Sequence, residues 1–344
     1  MNRPHLEQLL GQLNQPRFRF KQLFQAVYKD GAESFASVQT LPKVLREALA
    51  QEPTSTLEPI HSALSKDGTI KTIFELSDGL QIEAVMIPNK NNRTVCVSCQ
   101  VGCAMKCAFC ATGTMGIKRS LTADEIIDQV VYCNNLLRSK KEKVTNVVYM
   151  GMGEPMNNLK AVLESIQVLH DADGLGIGAR KISVSTSGVV PGIKSIIDFP
   201  LQINLALSLH APNDELRSKI MPVNKMFPLK VLMEACHAYV QKTNRKLMFE
   251  YVMLQGVNDS LELAVELRDL AKPFVPLMQV NLIPFHPSSV DFTPTERKHI
   301  LAFQKVLREA NIPTTIRHSA GVDIAGACGQ LALDTSTSGY SCLK

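Results

Sequence analysis

Five of the nine cysteines lie close together, in the segment CVSCQVGCAMKCAFCATG at positions 96–113. Thiols at such density hold an iron–sulfur cluster, close a zinc site, or serve as redox-active or buried groups. Cys103, Cys107 and Cys110 have the spacing C-x3-C-x2-C, a loop short enough to wrap a cubane iron–sulfur cluster. Three thiolates leave one iron open to chelate a substrate. The zinc alternative takes Cys99 as a fourth ligand and gives a closed structural site.

Apolar periodicity predicts the elements that must position these thiols. A strand at TVCVS precedes the cysteine loop, and six further apolar stretches of strand length follow it. These stretches lie at 146–150, 181–185, 202–209, 247–254, 278–283 and 314–318. Helical patterns separate them, and Thr122 with Glu125 forms a capping box at the start of the first helix. Repeated strand–helix units predict an α/β fold, a partial TIM-like (β/α)6 barrel, with a doubly wound sheet as the alternative.

Small and polar residues follow the predicted strands at the points where they end. They are the cysteine loop after 98, GMGEP after 150, TSG after 185, His210, PFHP after 283 and SAGVDIAGACGQL after 318. Active sites of parallel barrels lie at the carboxyl ends of the strands. The sequence therefore predicts that these segments meet in one site.

Three further regions flank the barrel, which is predicted over residues 91–333. Residues 1–55 alternate short helical patterns with breakers and predict a small N-terminal helical module. Residues 56–90 alternate apolar and polar side chains around an Asp-Gly turn and predict a β-hairpin extension. Residues 334–344 are mostly small or polar and predict a flexible tail.

Composition and charge narrow the class of protein. The net charge of +5 favours polyanions mildly, with Arg17, Arg19, Lys21, Lys118 and Arg119 as candidate phosphate contacts. No apolar run reaches the length of a membrane span, and the first residues lack the apolar core of a signal peptide. A cytoplasmic protein is therefore expected. There, an odd number of cysteines indicates metal binding or catalysis rather than a disulfide framework.

Longer matches point to a family. The segments SCQVGCAMKCAFCATG, GMGEP, STSGVVP, LSLHAP, EYVMLQGVND, VNLIPF and DIAGACGQL follow one another along the chain. Together they resemble the RlmN/Cfr family of radical S-adenosylmethionine (SAM) enzymes, which methylate adenosine in ribosomal RNA and, in one branch, also in transfer RNA. The resemblance extends from about residue 16 to residue 333.

The resemblance implies roles for particular residues. The three cysteines of the C-x3-C-x2-C loop would hold a [4Fe–4S] cluster whose open iron binds the amino and carboxylate groups of SAM. The SAM-contacting positions would be Gly153, Glu154, Ser185, Ser208, Leu209, His210 and Asn281. Cys328 would carry the methyl group, Cys96 would be its resolving partner in a disulfide, and Glu83 would be the acid/base.

Each of these residues has a structural alternative when it is considered alone. Cys328 is equally suited to be a small buried hydrophobe, and Cys96 on a strand to be part of the core. Glu83 in an alternating strand ordinarily faces solvent, and His210 is as well suited to be a hydrogen-bonded core histidine. The resemblance favours the catalytic and SAM-binding roles.

The implied reaction is a radical methylation of an adenine ring carbon. One SAM methylates the Cys328 thiolate, and a second SAM is cleaved reductively to a 5′-deoxyadenosyl radical that takes hydrogen from the S-methyl group. The methylene radical adds to adenine, and Glu83 removes a proton. Cys96 then attacks the sulfur of Cys328, so that a disulfide forms and methylated RNA leaves. The expected partners are ribosomal RNA, transfer RNA as a second substrate, and an electron donor such as flavodoxin. The enzyme is expected to be a monomer.

Two positions bear on specificity. Position 99 is a cysteine where serine is expected in most relatives, and Pro155 of GMGEP favours C2 over C8 of adenine as the target. A radical SAM enzyme with a non-RNA substrate and a non-catalytic, zinc-stapled RNA-binding protein stay open as alternatives. The pairing of Cys96 with Cys328 argues against the former, because only methyl shuttling needs both thiols.

Overall fold

A ten-stranded mixed sheet forms the body of the protein. The computed structural model describes residues 1–287 and 289–333, and the predicted tail, 334–344, lies outside the described residues. The strands are β1 (Leu57–Leu64), β2 (Ile70–Leu76), β3 (Gln81–Asn89), β4 (Asn92–Cys96), β5 (Gln100–Gly102), β6 (Ile117–Ser120), β7 (Asn146–Tyr149), β8 (Ile182–Thr186), β9 (Asn204–Ser208), β10 (Leu247–Met253), β11 (Met278–Pro284) and β12 (Thr314–Ile316). The order in the large sheet is β1-β2-β3-β4-β7-β8-β9-β10-β11-β12, and β5 pairs with β6 separately. Pairing is antiparallel from β1 to β4 and parallel from β4 to β12.

Eleven α-helices are present in the described residues, and those from α4 onward lie between the parallel strands. They are α1 (Arg3–Gln12), α2 (Phe18–Phe24), α3 (Lys43–Ala48), α4 (Ala111–Thr114), α5 (Ala123–Arg138), α6 (Leu159–His170), α7 (Val190–Ile197), α8 (Asp214–Ile220), α9 (Leu229–Thr243), α10 (Leu261–Ala271) and α11 (Arg297–Glu309). Every parallel strand from β4 to β11 is followed by a helical connection to its neighbour, and β12 completes the series. The predicted (β/α)6 architecture is confirmed. The doubly wound alternative is wrong, because the parallel strands are neighbours in chain order and the order never reverses.

The parallel strands lie close to their predicted positions. Each of the six apolar stretches forms a strand whose ends differ from the prediction by at most two residues. Strands covered on both faces require apolar side chains throughout, so they leave a clear signal. The capping box is present as predicted: the N–H of Glu125 donates to Thr122 Oγ1 at 3.2 Å, and the N–H of Thr122 donates to Glu125 Oε2 at 2.8 Å.

The region before the barrel contains three antiparallel strands rather than one hairpin. The predicted hairpin is formed by β2 and β3, and β1 adds to its outer edge. The pairing of β3 with β4 joins these strands directly to the barrel sheet. β1 was not predicted because its buried and exposed residues do not alternate regularly.

The N-terminal helices pack on the outside of α5 and α6. Arg3 binds Asp124, and its Nη2 lies 2.7 Å from a carboxylate oxygen of Glu164. The terminal amino group of Met1 lies 2.5 Å from Asp128, and both groups are buried. These ion pairs fasten the helical module to the barrel. Among the described residues, none of the helices has the length and apolar character needed to cross a membrane.

Candidate active site at the carboxyl ends of the strands

An open cavity lies at the carboxyl ends of the parallel strands. Its volume is about 970 Å³ when the space at its mouth is included. Nine residues predicted from the sequence line it: Cys103, Cys107, Cys110, Gly153, Glu154, Ser185, Ser208, His210 and Cys328. Glu83, Cys96, Leu209 and Asn281 are not on its wall. The predicted residues therefore form one cavity with a supporting layer.

The backbone of the cysteine loop is fixed at two points. The N–H of Cys103 donates to the carbonyl of Gly116, and the N–H of Ala108 donates to the carbonyl of Ile220, both at 2.9 Å. Burial raises the pKa of the Cys103 thiol to about 12 and also raises the pKa of Cys107. These thiols are protonated at neutral pH, so each must lose its proton before it can act as a metal ligand.

A closed zinc site finds no support in the described residues. They contain no group of three His, Cys, Asp or Glu side chains that could hold a single metal ion. Cys99, which the zinc alternative needs as a ligand, is buried, does not line the cavity, and has a thiol whose pKa is raised by that burial. A [4Fe–4S] cube is wider than one ion, so its thiolate ligands stand further apart than those of zinc.

Glu154 presents a buried carboxylate to the cavity. Its Oε1 accepts a hydrogen bond from the N–H of Met156 at 3.1 Å, and its Oε2 accepts one from the N–H of Ser187 at 2.7 Å. Burial raises the pKa of Glu154, while these hydrogen bonds act against the rise. Gly153 has φ +106°, and a Cβ there would lie 2.6 Å from Cβ of Gln100. Only glycine therefore fits beside this carboxylate.

Two neighbouring strands end in hydroxyl groups, and the second is followed by a buried imidazole. The Oγ atoms of Ser185 and Ser208 are 3.3 Å apart. His210 has φ +59°, its Nδ1 accepts a hydrogen bond from the N–H of Val252 at 3.0 Å, and its ring meets that of Phe109 edge to face at 4.6 Å. Burial lowers the pKa of His210 to about 3. The ring is therefore neutral, with its proton on Nε2.

Glu250, which the sequence motifs did not predict as a site residue, links Leu209 and Asn281 to the cavity. The N–H of Leu209 donates to the backbone carbonyl of Glu250 at 3.0 Å. The side-chain amide of Asn281 donates to Oε1 of Glu250 at 2.8 Å. Glu250 lines the cavity beside Arg317, whose Nη2 is 3.6 Å from Oε1, while its Oε2 is buried and has no hydrogen-bond partner among the described residues. Burial raises the pKa of Glu250, and Arg317 opposes this. The sequence feature that could have indicated Glu250 as a site residue is its place as the one charged residue in the apolar stretch LMFEYVML.

Arg217 supports the cavity from behind. Its Nε donates to the carbonyl of Leu209 at 3.0 Å, and its Nη1 donates to Asn224 Oδ1 at 2.9 Å. Its Nη2 donates to the carbonyls of Ser187 at 2.6 Å and Ser208 at 3.2 Å. Burial lowers the pKa of Arg217 to about 10, so the guanidinium is still a cation at neutral pH. This buried cation connects the segments that follow β8 and β9.

Cys328 lies on the carboxyl-terminal segment, residues 321–333, beside the cysteine loop. The carbonyl of Gly329 accepts a hydrogen bond at 2.8 Å from the N–H of Ala111, the residue after the last loop cysteine. Cys328 itself is exposed and lines the cavity. The cysteine loop and the carboxyl-terminal segment, which are far apart in sequence, therefore meet at the rim of the cavity.

Two aspartates hold the front of the carboxyl-terminal segment. Asp67 Oδ2, in the turn between β1 and β2, accepts a hydrogen bond from the N–H of Gly321 at 3.0 Å. Asp323 Oδ1 accepts one from Ser65 Oγ at 2.5 Å, and its Oδ2 accepts one from the N–H of Lys66 at 3.2 Å. The segment is therefore attached to the β1–β2 turn as well as to the cysteine loop.

Cys96 ends β4 in the region covered by the carboxyl-terminal segment. It pairs in register with Val85 of β3, and a Cβ on Gly326 would lie 3.7 Å from Cγ1 of that valine. Burial raises the pKa of the Cys96 thiol to about 12; a negative charge on Cys328 raises it further, and Arg317 lowers it. Surrounding protein also raises the pKa of Cys328, although its side chain is partly open to solvent, and Arg317 again acts against the rise. The two thiols therefore share one electrostatic environment.

Glu83 is completely buried on β3, so the alternative of a solvent-facing side chain is wrong. Its Oε1 lies 3.1 Å from Lys71 Nζ, and its Oε2 accepts a hydrogen bond from the N–H of Leu333 at 3.3 Å. Its backbone carbonyl accepts one from Ser98 Oγ at 2.6 Å. Packing of the carboxyl-terminal segment over β3 explains the burial, which the local pattern does not reveal.

The candidate phosphate contacts differ in their availability. Arg17 and Lys118 are exposed. Lys21 lies 2.7 Å from Asp173, and Arg119 is held by two carboxylates. Arg19 is half-buried, and its Nη1 donates to Gln22 Oε1 at 2.8 Å. Arg17 and Lys118 are therefore better placed than the other three to contact a phosphate.

A family model and a solved structure identify the class of enzyme to which the chain belongs. Residues 97–267 match the model of the Radical SAM superfamily. The crystal structure of a radical SAM methyltransferase from Sphaerobacter thermophilus superposes with a TM-score of 0.91 and 44% identity, covering 96% of this chain and 97% of that one. The fold and the cysteine-lined cavity define a radical SAM enzyme.

A second family model and curated proteins of similar sequence identify the family within this class. Residues 1–54 match the ribosomal RNA large subunit methyltransferase N-terminal domain. The probable dual-specificity RNA methyltransferase RlmN of Geobacillus kaustophilus (strain HTA426) is 44% identical over 329 residues, 94% of this chain and 89% of the relative. The dual-specificity RNA methyltransferase RlmN of Desulfotalea psychrophila (strain LSv54 / DSM 12343) is 43% identical over 348 residues, 98% of this chain and 95% of the relative. The chain belongs to the RlmN family.

Radical SAM enzymes use a [4Fe–4S] cluster and SAM, and the residues of the cavity fit both groups. Three free thiols from one loop line the wall and provide the soft ligands that iron–sulfur clusters require. SAM carries a positive charge together with amino, carboxylate and hydroxyl groups. The unpartnered Oε2 of Glu250 and the hydroxyls of Ser185 and Ser208 offer acceptors to such a ligand.

Proposed function

We propose that this protein methylates a ring carbon of adenosine in ribosomal RNA, with Cys328 as the carrier of the methyl group. The observation that carries this proposal is the hydrogen bond between Gly329 and Ala111, which fixes a cysteine on the cavity rim beside a three-cysteine loop. A second thiol, Cys96, lies under the same segment. The family supports the same reaction, because its curated members are named RNA methyltransferases.

The cavity residues hold the two cofactors in this proposal. When bound, the cluster supplies the electron that cleaves SAM, and Cys103, Cys107 and Cys110 are its ligands. SAM is held by Gly153, Glu154, Ser185, Ser208 and His210 on the wall, with Leu209 and Asn281 acting through Glu250. Because His210 is neutral, it offers an N–H donor without repelling a sulfonium.

The two thiols act in sequence. Cys328 must lose its proton to accept a methyl group, and Arg317 favours that loss by lowering the pKa of the thiol. An ionised Cys328 keeps Cys96 protonated, because like charges repel. Methylation of Cys328 removes this repulsion. Cys96 is thereby easier to ionise at the stage when it must attack the Cys328 sulfur and form the disulfide.

Glu83 is the proton acceptor in this proposal. Its carboxylate touches the carboxyl-terminal segment at Leu333, beyond the methyl carrier. Addition of the methylene radical leaves one unpaired electron on the ring, for which the cluster, oxidised by the cleavage of SAM, would be the acceptor. In the step assigned to Glu83, the C–H bond of the tethered ring carbon then breaks, the proton passes to a carboxylate oxygen, and the electron pair of that bond stays in the ring. The Cys96 thiolate then attacks the Cys328 sulfur, the bond between that sulfur and the methylene carbon breaks, and the carbon keeps the electron pair and takes up a proton to become the methyl group.

The substrate and cellular setting complete the proposal. The target is C2 of adenosine, and transfer RNA is a second substrate, in keeping with relatives named dual-specificity. Residues 1–55 form an RNA-contacting module in which Arg17 is an exposed cation. The enzyme works as a cytoplasmic monomer, where thiols reduce its disulfide, and an electron donor such as flavodoxin reduces the cluster.

Single cysteine variants test the proposal directly. Reconstituted enzyme is incubated with unmodified ribosomal RNA and SAM, and the product is mapped by mass spectrometry. Cys328→Ala is expected to lose all methylation, whereas Cys96→Ala is expected to accumulate protein linked covalently to RNA. Cys133→Ala, a buried cysteine on α5 away from the cavity, should methylate like the wild type.

The same experiment can refute the proposal. Methylation by Cys328→Ala would exclude a methyl carrier at this position. Cleavage of SAM by the wild type without any modified RNA would instead point to a non-RNA substrate.

A further inference from the structure

A buried ion pair lies between two antiparallel strands of the sheet. Lys71 Nζ on β2 is 3.1 Å from Glu83 Oε1 on β3, and the two side chains are 1% and 0% exposed. Moving two such ions out of water costs several kcal/mol, and apolar residues of the same volume often stabilise a protein equally well. Stability alone does not explain this pair.

Strand register places the pair on the same face as Cys96. Lys71 lies opposite Val85 on β3, and Val85 lies opposite Cys96 on β4. Residues directly opposite each other project to one face, and so do residues two apart on a strand. Glu83 is two residues from Val85, so all four residues share a face. The other face packs on α5, so the pair is on the barrel side.

The segment that carries Cys328 covers this face. Gly326 lies against Val85, and the N–H of Leu333 donates to Glu83 Oε2 at 3.3 Å. The charged group acting on the Glu83 carboxyl is Lys71 from β2, while the segment contributes backbone N–H groups and β4 contributes the thiol of Cys96. The carboxyl therefore lies between an ammonium group and the methyl-carrier segment.

Burial and the ammonium group have opposite effects on this carboxyl. Burial raises the pKa of Glu83, and the positive charge of Lys71, whose Nζ is 3.1 Å from Oε1, lowers it. A protonated carboxyl cannot accept another proton. Glu83 therefore depends on Lys71 to be available as a base.

We propose that Lys71 is a positioning residue, which keeps Glu83 ionised and directed toward the segment that carries Cys328. This inference rests on the proposed function, in which Glu83 takes a proton from the tethered ring carbon. After that transfer Glu83 is neutral and Lys71 is a buried cation beside it. Loss of the proton restores the ion pair, so Lys71 also favours the return of Glu83 to its starting state.

Lys71→Met removes the charge and keeps a long apolar side chain. The decay of the covalent protein–RNA adduct is followed by quenched single-turnover reactions over a range of pH. The variant should form the adduct like the wild type but resolve it about 10–1,000-fold more slowly on the rising limb of the pH profile, because a nearby opposite charge lowers a carboxyl pKa by about 1–3 pH units. The rising limb of the pH profile should move upward by the same amount. Lys66→Met, the same change at an exposed lysine of the β1–β2 turn, should match the wild type.

A second measurement needs neither cluster nor RNA. Infrared difference titration of the cluster-free protein, with Glu83→Gln as the reference, follows the C=O band of the protonated Glu83 carboxyl. In Lys71→Met this band should persist to higher pH than in the wild type, whereas Lys71→Arg, which retains the charge, should titrate like the wild type. Thermal unfolding is measured first. Should Lys71→Met be unfolded, Lys71→Gln takes its place.

The outcomes separate the two proposals. If Glu83→Gln resolves the adduct at the wild-type rate, Glu83 is not the proton acceptor and the proposed function is wrong at that step. If Glu83→Gln blocks resolution while the uncharged Lys71 variant titrates and resolves like the wild type, only the inference about Lys71 is overturned.

Discussion

Replacement of Arg217 by methionine would remove the buried cation behind the cavity. Its guanidinium donates to three backbone carbonyls and to Asn224. A hydrogen bond from a charged group contributes about 1.5–3 kcal/mol, so the four bonds set an upper bound of about 6–12 kcal/mol. Burying the ion costs several kcal/mol, which offsets part of this. Arg217→Met should therefore lower the free energy of unfolding by about 3–5 kcal/mol.

Urea unfolding of the cluster-free protein measures this loss, and equilibrium dialysis of the reconstituted enzyme measures SAM binding. SAM affinity should fall together with stability, because the carbonyls of Ser187 and Ser208 belong to segments that line the cavity. Lys219→Met on the same helix is the control. Lys219 is exposed and pairs only with Glu215 among the described residues, so its loss should change stability by less than about 0.5 kcal/mol. Equal stability of Arg217→Met and Lys219→Met would refute the reasoning.

Two further substitutions test other features of the site. The pKa of His210 is lowered from 6.5 to about 3, so the folded state binds fewer protons than the unfolded state between these values, and stability must fall as the pH falls through that range. Urea unfolding should show that His210→Gln removes about 2–3 kcal/mol of the stability lost between about pH 7.5 and about pH 4.5; an equally steep loss in the variant would contradict this. Asp323→Ala removes the hydrogen bonds from Ser65 and the β1–β2 turn, each contributing about 1 kcal/mol, and should loosen the segment that carries Cys328. Equilibration with glutathione should then show a disulfide between Cys328 and Cys96 that is about 5–30-fold easier to reduce, and an unchanged equilibrium would show that the aspartate does not hold the segment.

The barrel could be predicted from sequence because its strands are buried on both faces. β10 is apolar along its length apart from one carboxylate, and the capping box at Thr122 marks the start of α5. Such local signals locate each element. The fold rule for parallel barrels then places the cysteine loop, Glu154 and His210 at one end of the sheet.

The buried positions of Lys71 and Arg217 could not be predicted, because they depend on contacts between distant parts of the chain. Lys71 lies in an alternating strand whose pattern is the same for a solvent-facing lysine and a buried one. Its burial depends on the carboxyl-terminal segment, which packs over β3. The same holds for Arg217, whose charge would ordinarily predict an exposed position on a short helix.

The hydrogen bond from Ala111 to Gly329 has a practical consequence for protein engineering. It joins the loop whose three thiols would bind iron to the segment whose thiol would carry the methyl group. The positions of the two groups therefore depend on each other. A cysteine loop transplanted alone onto another barrel would lack the carboxyl-terminal segment that places Cys328 beside it. A functional transplant must therefore include the cysteine loop, the carboxyl-terminal segment, and strands β1 to β3, on which that segment packs.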